Sequence, residues 1–128
     1  DILTLLDMEK MYSFACQKES SFIAGIKEVV MPYDFGDISF EGELVTKIEE
    51  KPKIIKYALA GIYVMKPDIF RYIPENTYYG IDTLIQSMLE QKLPIVKYDI
   101  EEYWIDIGRM DDYERAQKDY KRIERGRN

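Results

Sequence analysis

Residues 101–117 read EEYWIDIGRMDDYERAQ and set a carboxylate, Asp106, among Tyr103, Trp104, Ile105 and Ile107, just ahead of Gly108 and a helical pattern. An acid at the end of so apolar a strand has two uses. It can cap the following helix or pair with Arg109. It can also hold a hard cation such as magnesium, which takes one or two protein carboxylates and completes its octahedron with water and substrate phosphate oxygens. Three further places put polar groups at the ends of apolar runs: Asp1, Gly36 and the pair Glu50–Lys51. In KIEEKPK, Pro52 ends an extended arm, so Glu50 and Lys51 are either a solvated turn or a recognition pair. In the second case the Lys51 ammonium meets a phosphate and the Glu50 carboxylate accepts from hydroxyls, a combination that a phosphorylated sugar presents. Gly36 either eases the chain into a strand or lets a main-chain N–H approach a ligand unobstructed. Ligands of open α/β sheets bind at the carboxyl ends of strands, where these groups are expected.

The composition narrows the chemistry. The chain has 128 residues, no histidine and one cysteine, Cys16. Without imidazole, Ser–His–Asp and Cys–His nucleophile systems and His-ligated zinc are excluded. A lone cysteine makes no internal disulfide, which fits a reducing compartment, the cytoplasm; on its helix it reads as a buried small hydrophobe. A net charge of −6 with mixed signs argues against nucleic acid as a partner. No run approaches the roughly 20 apolar residues of a membrane span. With 46% hydrophobic residues there is ample material for one packed domain. The first residues, Asp1-Ile2-Leu3, enter an apolar strand at once, which suggests a chain cut from something longer.

The elements that must position these groups follow from periodicity. Asp7 caps a helix with Met8, Met11, Tyr12 and Ala15 on its apolar face, ending near Ser20. Residues 21–30 form a strand with two alternating sets. FGDISFEGELVTKIEEKP is a hairpin with Ile38 and Phe40 on one arm, Gly42 at the turn, and Val45 and Ile48 on the other. YALAGIYVM (57–65) is apolar at consecutive positions, the pattern of a strand covered on both faces. Pro67 opens a short helical turn, and Asp82 caps a helix carrying Leu84, Ile85, Met88 and Leu89. IVKYDI and YWIDIG are strands. A last helix from Met110 shows Tyr113, Ala116, Gln117, Tyr120 and Ile123 at helical spacing before the solvated tail KRIERGRN. The class is α/β with an antiparallel hairpin inserted.

Taken in order, GDISFEGELVTKIEEKP, AGIYVMKPDIF, DTLIQSMLEQ and EYWIDIGRMDDYERAQKDY resemble the sugar-phosphate nucleotidyltransferases, which include glucose-1-phosphate thymidylyltransferases and mannose-1-phosphate guanylyltransferases. The resemblance spans residues 1–120, and its specificity lies in several motifs occurring in one order. It implies a partial Rossmann-like, GT-A-like mixed sheet with flanking helices. It also implies attack of a sugar 1-phosphate on the α-phosphorus of a nucleoside triphosphate, giving an NDP-sugar and pyrophosphate with a Mg2+ cofactor and no histidine. By position, Asp106 in WIDIG resembles one metal-binding aspartate, and DILTLLDMEKM resembles the family's segment around the other, which makes Asp1 its partner. Glu50 and Lys51 match residues that hold the sugar hydroxyls and sugar phosphate; Gly36 matches a glycine whose backbone meets the sugar. Asp1, Asp106 and Lys51 are thus the catalytic candidates.

Two departures stand out. Leu59 and Ala60 occupy positions where many members carry a polar sugar contact. The glycine-rich GGxGTR segment that binds the triphosphate is not among these residues. Residues 1–128 are therefore expected to be the C-terminal, sugar-phosphate-binding portion of the domain, inactive and without tight nucleotide binding when alone. The alternative is a non-catalytic sugar-phosphate-binding or regulatory module. Bared strand edges and apolar faces imply a homo-oligomer.

Overall fold

The computed structural model of the chain describes residues 1–126. They divide into two compact units: Glu28–Ala58, and a second made of Asp1–Lys27 together with the chain from Leu59 onward.

In the larger unit, helix α1 (Met8–Cys16) starts where Asp7 Oδ1 accepts the Lys10 N–H at 2.9 Å, satisfying one of the unpaired donors of the first turn. Met11 and Ala15 are buried, whereas Met8, Tyr12 and Cys16 are exposed. The expectation of a buried Cys16 is thereby corrected. Only one narrow stripe of this short helix meets the sheet, and Cys16 lies one step round from Ala15, off that stripe.

Strand β2 (Phe22–Met31) is central in a three-stranded sheet of order β5–β2–β6, with β5 spanning Ile54–Met65 and β6 Ile95–Asp99. It runs parallel to β6, from Phe22 opposite Ile95 to Ile26 opposite Asp99. Side chains alternate across the sheet, which sorts the core into two clusters. Ile23 packs with Leu6, Met11, Ala15, Ala60, Tyr98 and Ile100; Phe22 and Ala24 pack with Ile69, Leu84 and Met88. The second cluster is closed by a 3-10 helix (Pro67–Tyr72) and helix α2 (Ile81–Glu90). Each large side chain buried this way contributes about 1.5–3 kcal/mol. Helices thus cover both faces, as the α/β reading requires.

Two local expectations change. Strand β5 is not covered along its length: Tyr57 and Leu59 in its first half are exposed, whereas Ala60 is buried and Ile62–Met65 are half-buried, because only the second half of the strand packs into the two core clusters. The cap of α2 is Gly80, and no side chain bonds there. Asp82 stands inside the first turn, where its charge still complements the helix dipole.

Strands β1 (Ile2–Thr4) and β7 (Trp104–Asp106) form an antiparallel ribbon with Ile2 opposite Asp106, Leu3 opposite Ile105 and Thr4 opposite Trp104. Helix α3 (Met110–Gly126) comes next, with Asp111 and Asp112 in its first turn. Of its expected apolar face Ala116 is buried, while Met110, Tyr113 and Tyr120 remain exposed. The tail read as solvated is helical to Gly126; Arg127 and Asn128 lie outside the described residues. No helix among the described residues is long and apolar enough to cross a membrane.

The smaller unit is the hairpin, β3 (Gly36–Glu41) and β4 (Leu44–Glu50), turning at Gly42 with φ +59°. Ile38 faces Ile48 and Phe40 faces Val45. Val45 and Ile48 are three apart, so a plain strand would put them on opposite faces. The register shift at Ser39/Phe40 absorbs the extra residue and restores both to one face.

Tyr103 ties α3 to the ribbon by donating its hydroxyl to Asp119 Oδ2 at 2.8 Å. Burial, with that hydrogen bond second, pushes its pKa up to about 12. A pKa raised in the folded state means that this contribution is complete below the unfolded value near 10 and is lost as pH rises toward 12. Tyr103→Phe should flatten that part of the alkaline decline in stability, read from urea melts between about pH 9 and 12; an unchanged decline would contradict the assignment.

Candidate active site

Each unit assembles part of the expected constellation. In the hairpin unit, Gly36 and Glu50 are cross-strand partners. The Lys51 N–H donates to Phe35 O at 3.2 Å. Phe35 and Lys51 therefore form a hydrogen-bonded rung, which makes Gly36 and Glu50 the adjacent non-bonded rung, with closer side chains and the Gly36 N–H turned away from β4. A Cβ on Gly36 would stand 3.4 Å from Glu50 Oε2, so the carboxylate lies over the glycine. The neighbouring Glu49 is on the opposite face, paired with Asp37. It accepts from Lys47 Nζ at 2.9 Å, and that hydrogen bond raises the lysine pKa. Of the two adjacent glutamates, Glu49 is engaged and Glu50 is not: among the described residues Glu50 and Lys51 take part in no ion pair.

Lys51 holds a further peculiarity. Its φ is +48°, the left-handed region that L side chains with a Cβ avoid at a cost of roughly 1–2 kcal/mol. Strain of this sort, held at a strand end beside an unpaired carboxylate, motivates a functional role for the residue.

In the larger unit, the ribbon carries the two acids. Ile2 faces Asp106, and the Ile107 N–H donates to Asp1 O at 2.7 Å, so Asp1 and Asp106 stand on neighbouring rungs. In a regular pleat Asp106 shares the face of Ile2, and Asp1 that of Ile107. Asp1 also lines a surface cavity of about 430 Å³ with Ile107, Gly108 and Arg109. For both carboxylates to meet one ion, Asp1, which lies outside the strand proper, must turn about the end of the ribbon. Asp106 itself is exposed, not wedged into the core; Ile105 takes the buried position. A Cβ on Gly108 would lie 3.7 Å from Asp106 Oδ1, an ordinary van der Waals contact, so the chain leaves the strand close beside the acid. Among the described residues Asp106 forms no ion pair with Arg109. No cluster of three or more His, Cys, Asp or Glu suited to a metal occurs among them either. A magnesium ion needs no such cluster, since one or two carboxylates suffice and the oxygen donors are of the right hardness.

Two features that fix this geometry were not read from sequence, the Trp104–Ala60 hydrogen bond and the close approach at Gly61. Trp104 Nε1 donates to Ala60 O at 2.9 Å, fastening β7 to β5. Of the two positions where a polar sugar contact was sought, Ala60 is fully buried and serves packing, whereas Leu59 is exposed. Gly61 has φ +73°, and a Cβ there would stand 2.6 Å from Ile2 Cδ1. The glycine of AGIYV thus suits a positive φ and leaves room for the tip of the Ile2 side chain. Its glycine was the available signal, because an isolated glycine within a strand pattern marks a bulge or a close approach.

Comparison with known proteins identifies the family and the fold. The family model described as "Nucleotidyl transferase" matches residues 1–123. A UTP–glucose-1-phosphate uridylyltransferase of Synechocystis is 27% identical over 124 residues, 88% of this chain and 31% of that protein. The low-salt glycan biosynthesis nucleotidyltransferase Agl11 of Haloferax volcanii is 36% identical over 106 residues, 74% of this chain and 29% of its own. Among solved structures, a Bacillus anthracis protein assigned as a glucose-1-phosphate thymidylyltransferase superposes with a TM-score of 0.62 at 21% identity, covering 91% of this chain and 50% of that one. HddC of Yersinia pseudotuberculosis gives 0.59, again at 21% identity, covering 94% and 52%. These likenesses establish the Rossmann-like α/β fold. The chain spans about a third of the length of the curated relatives it matches.

Because glycine reaches φ +48° without penalty, Lys51→Gly should be more stable than Lys51→Ala by about 1 kcal/mol in urea denaturation. Equal stabilities would remove the strain from the account.

Proposed function

We propose, for a chain that belongs to the nucleotidyl transferase family, that the protein containing it couples a sugar 1-phosphate to a nucleoside triphosphate. Residues 1–128 would supply the sugar-phosphate side and the acids of the metal site. The observation that carries this reading is the Gly36–Glu50 rung with Lys51 at its end: a main-chain N–H turned away from the partner strand, with a carboxylate and an ammonium in no ion pair among the described residues. A sugar phosphate offers the complementary groups, hydroxyls for Glu50 and an anion for Lys51.

In the reaction a phosphate oxygen of the sugar 1-phosphate attacks the α-phosphorus, that P–O bond forms, and the bond to the β-phosphate breaks as pyrophosphate departs. The attacking oxygen is already ionised, so no general base is needed and the lack of histidine is no obstacle. The work of the protein is alignment of two anions and neutralisation of their charge. Lys51 contributes a point charge at the sugar phosphate, and Glu50 orients the ring. Asp106 and Asp1 would hold magnesium, which when bound supplies Lewis-acid neutralisation of phosphate charge.

The names of the curated relatives support a sugar phosphate and a nucleotide as substrates. We further propose that residues 1–128 alone do not turn over, since they contain no glycine-rich phosphate loop. Self-association belongs to the same reading: Ile38, Phe40, Val45 and Ile48 form an exposed apolar face on the hairpin, a surface that favours a second copy.

Pyrophosphate release by the full-length protein should appear with one or more pairings from a panel of nucleoside triphosphates and sugar 1-phosphates. Lys51→Met should lower kcat/KM by at least about 100-fold through both kcat and KM for the sugar 1-phosphate, and Glu50→Gln should act chiefly on that KM. Binding of sugar 1-phosphate without release under any pairing would favour the non-catalytic module.

A further inference from the structure

Lys27 stands one residue past the last rung between β2 and β6, Ile26 opposite Asp99. Beyond that rung the Ile100 N–H still donates to Ile26 O at 2.9 Å, and the chain then crosses from β6 to β7. Over this crossing the half-buried Lys27 Nζ donates to three successive carbonyls: Ile100 O at 2.9 Å, Glu101 O at 3.3 Å and Glu102 O at 2.9 Å. An ammonium has three N–H donors, and all three are used on main chain. Carbonyl dipoles that converge on one point repel one another unless a positive charge sits there.

The next residue is held independently. Tyr103 O accepts the Leu5 N–H at 2.9 Å and the Thr4 hydroxyl at 2.8 Å. Ladder pairing then carries β7 to Asp106, four residues past the last carbonyl that Lys27 holds. The entry to this strand is therefore fixed by one internal cation on one side and by β1 on the other.

We propose that Lys27 is a positioning residue for the acid on β7: its ammonium acts as a resident cation that shapes the 100–102 crossing and so sets where Asp106 stands. The role of Asp106 rests on the proposed nucleotidyl transfer; the ordering of the crossing by Lys27 does not. A lysine suits the task better than an arginine, because three independently directed donors on one nitrogen reach three divergent carbonyls, whereas a planar guanidinium presents its donors in a fixed fork.

The test uses the full-length protein and two variants, Lys27→Met, which keeps the side-chain bulk, and Lys27→Ala, which leaves space for an amine. Hydrogen exchange should quicken by about 10-fold or more across residues 100–107 in both, with α2 unchanged. Propylammonium, the missing part of the lysine side chain, should restore protection to Lys27→Ala, and 1-propanol should not. In turnover kcat should fall by about 10-fold with KM for the sugar 1-phosphate little changed, and propylammonium should recover it. Unchanged exchange at 100–107, a loss spread evenly over the whole sheet, or no response to the amine would overturn the proposal. Exchange is read without substrate. Localised loss with amine rescue, in a protein that releases no pyrophosphate, would therefore uphold the role of Lys27 in the crossing and count against the reaction.

Discussion

The ribbon of β1 and β7 is a short ladder, three paired residues from each strand with one further backbone hydrogen bond at either end, at Asp1 and at Leu5, yet both acids depend on it. Its register decides that Asp106 stands opposite Ile2 and not Leu3. A slip of one residue would carry every side chain of the strand to the other face. Three contacts guard against that slip. Ile2 needs the space left by Gly61, Trp104 reaches Ala60 O, and Thr4 binds Tyr103 O. Together these are one apolar and two polar anchors for strands too short to hold their register alone.

The hairpin unit solves a different problem. Its ladder pairs Gly36 with Glu50, and its end places Lys51 in a conformation that lysine does not favour. The engaged Glu49 and the unengaged Glu50 are adjacent in sequence but face opposite ways, so one carboxylate serves the hairpin and the other is the one proposed to meet a ligand. A site made from strand ends in this way relies on hydrogen-bonded backbone, and only its tips remain adjustable.

Much of this was legible from local pattern. The Asp7 cap, the hairpin turn at Gly42, and the alternating sets of β2 rest on interactions within a few residues, and each was readable for that reason. Leu84 and Met88 were placed correctly by helical spacing. The features that were not legible depend on distant partners. Cys16, Tyr57 and Leu59 are exposed because of which stripe of a helix or which half of a strand meets the packed core, and periodicity does not encode that. Lys27 lies in an unremarkable IKEVV run, and its carbonyl partners are 73 to 75 residues away. Asp106 was visible as a candidate because a carboxylate beside Trp104 breaks the apolar pattern, and Asp1 through the resemblance of DILTLLDMEKM to a family segment. Their relation across the ribbon became visible only from the register.

Manganese(II) binding to the full-length protein, followed by electron paramagnetic resonance, tests the paired acids most directly. The account predicts that Asp106→Asn and Asp1→Asn each weaken binding by at least about 10-fold, while Asp82→Asn, an acid on α2, leaves it unchanged. Affinity that survives Asp106→Asn intact would contradict the claim that the end of this ribbon is where the metal is held.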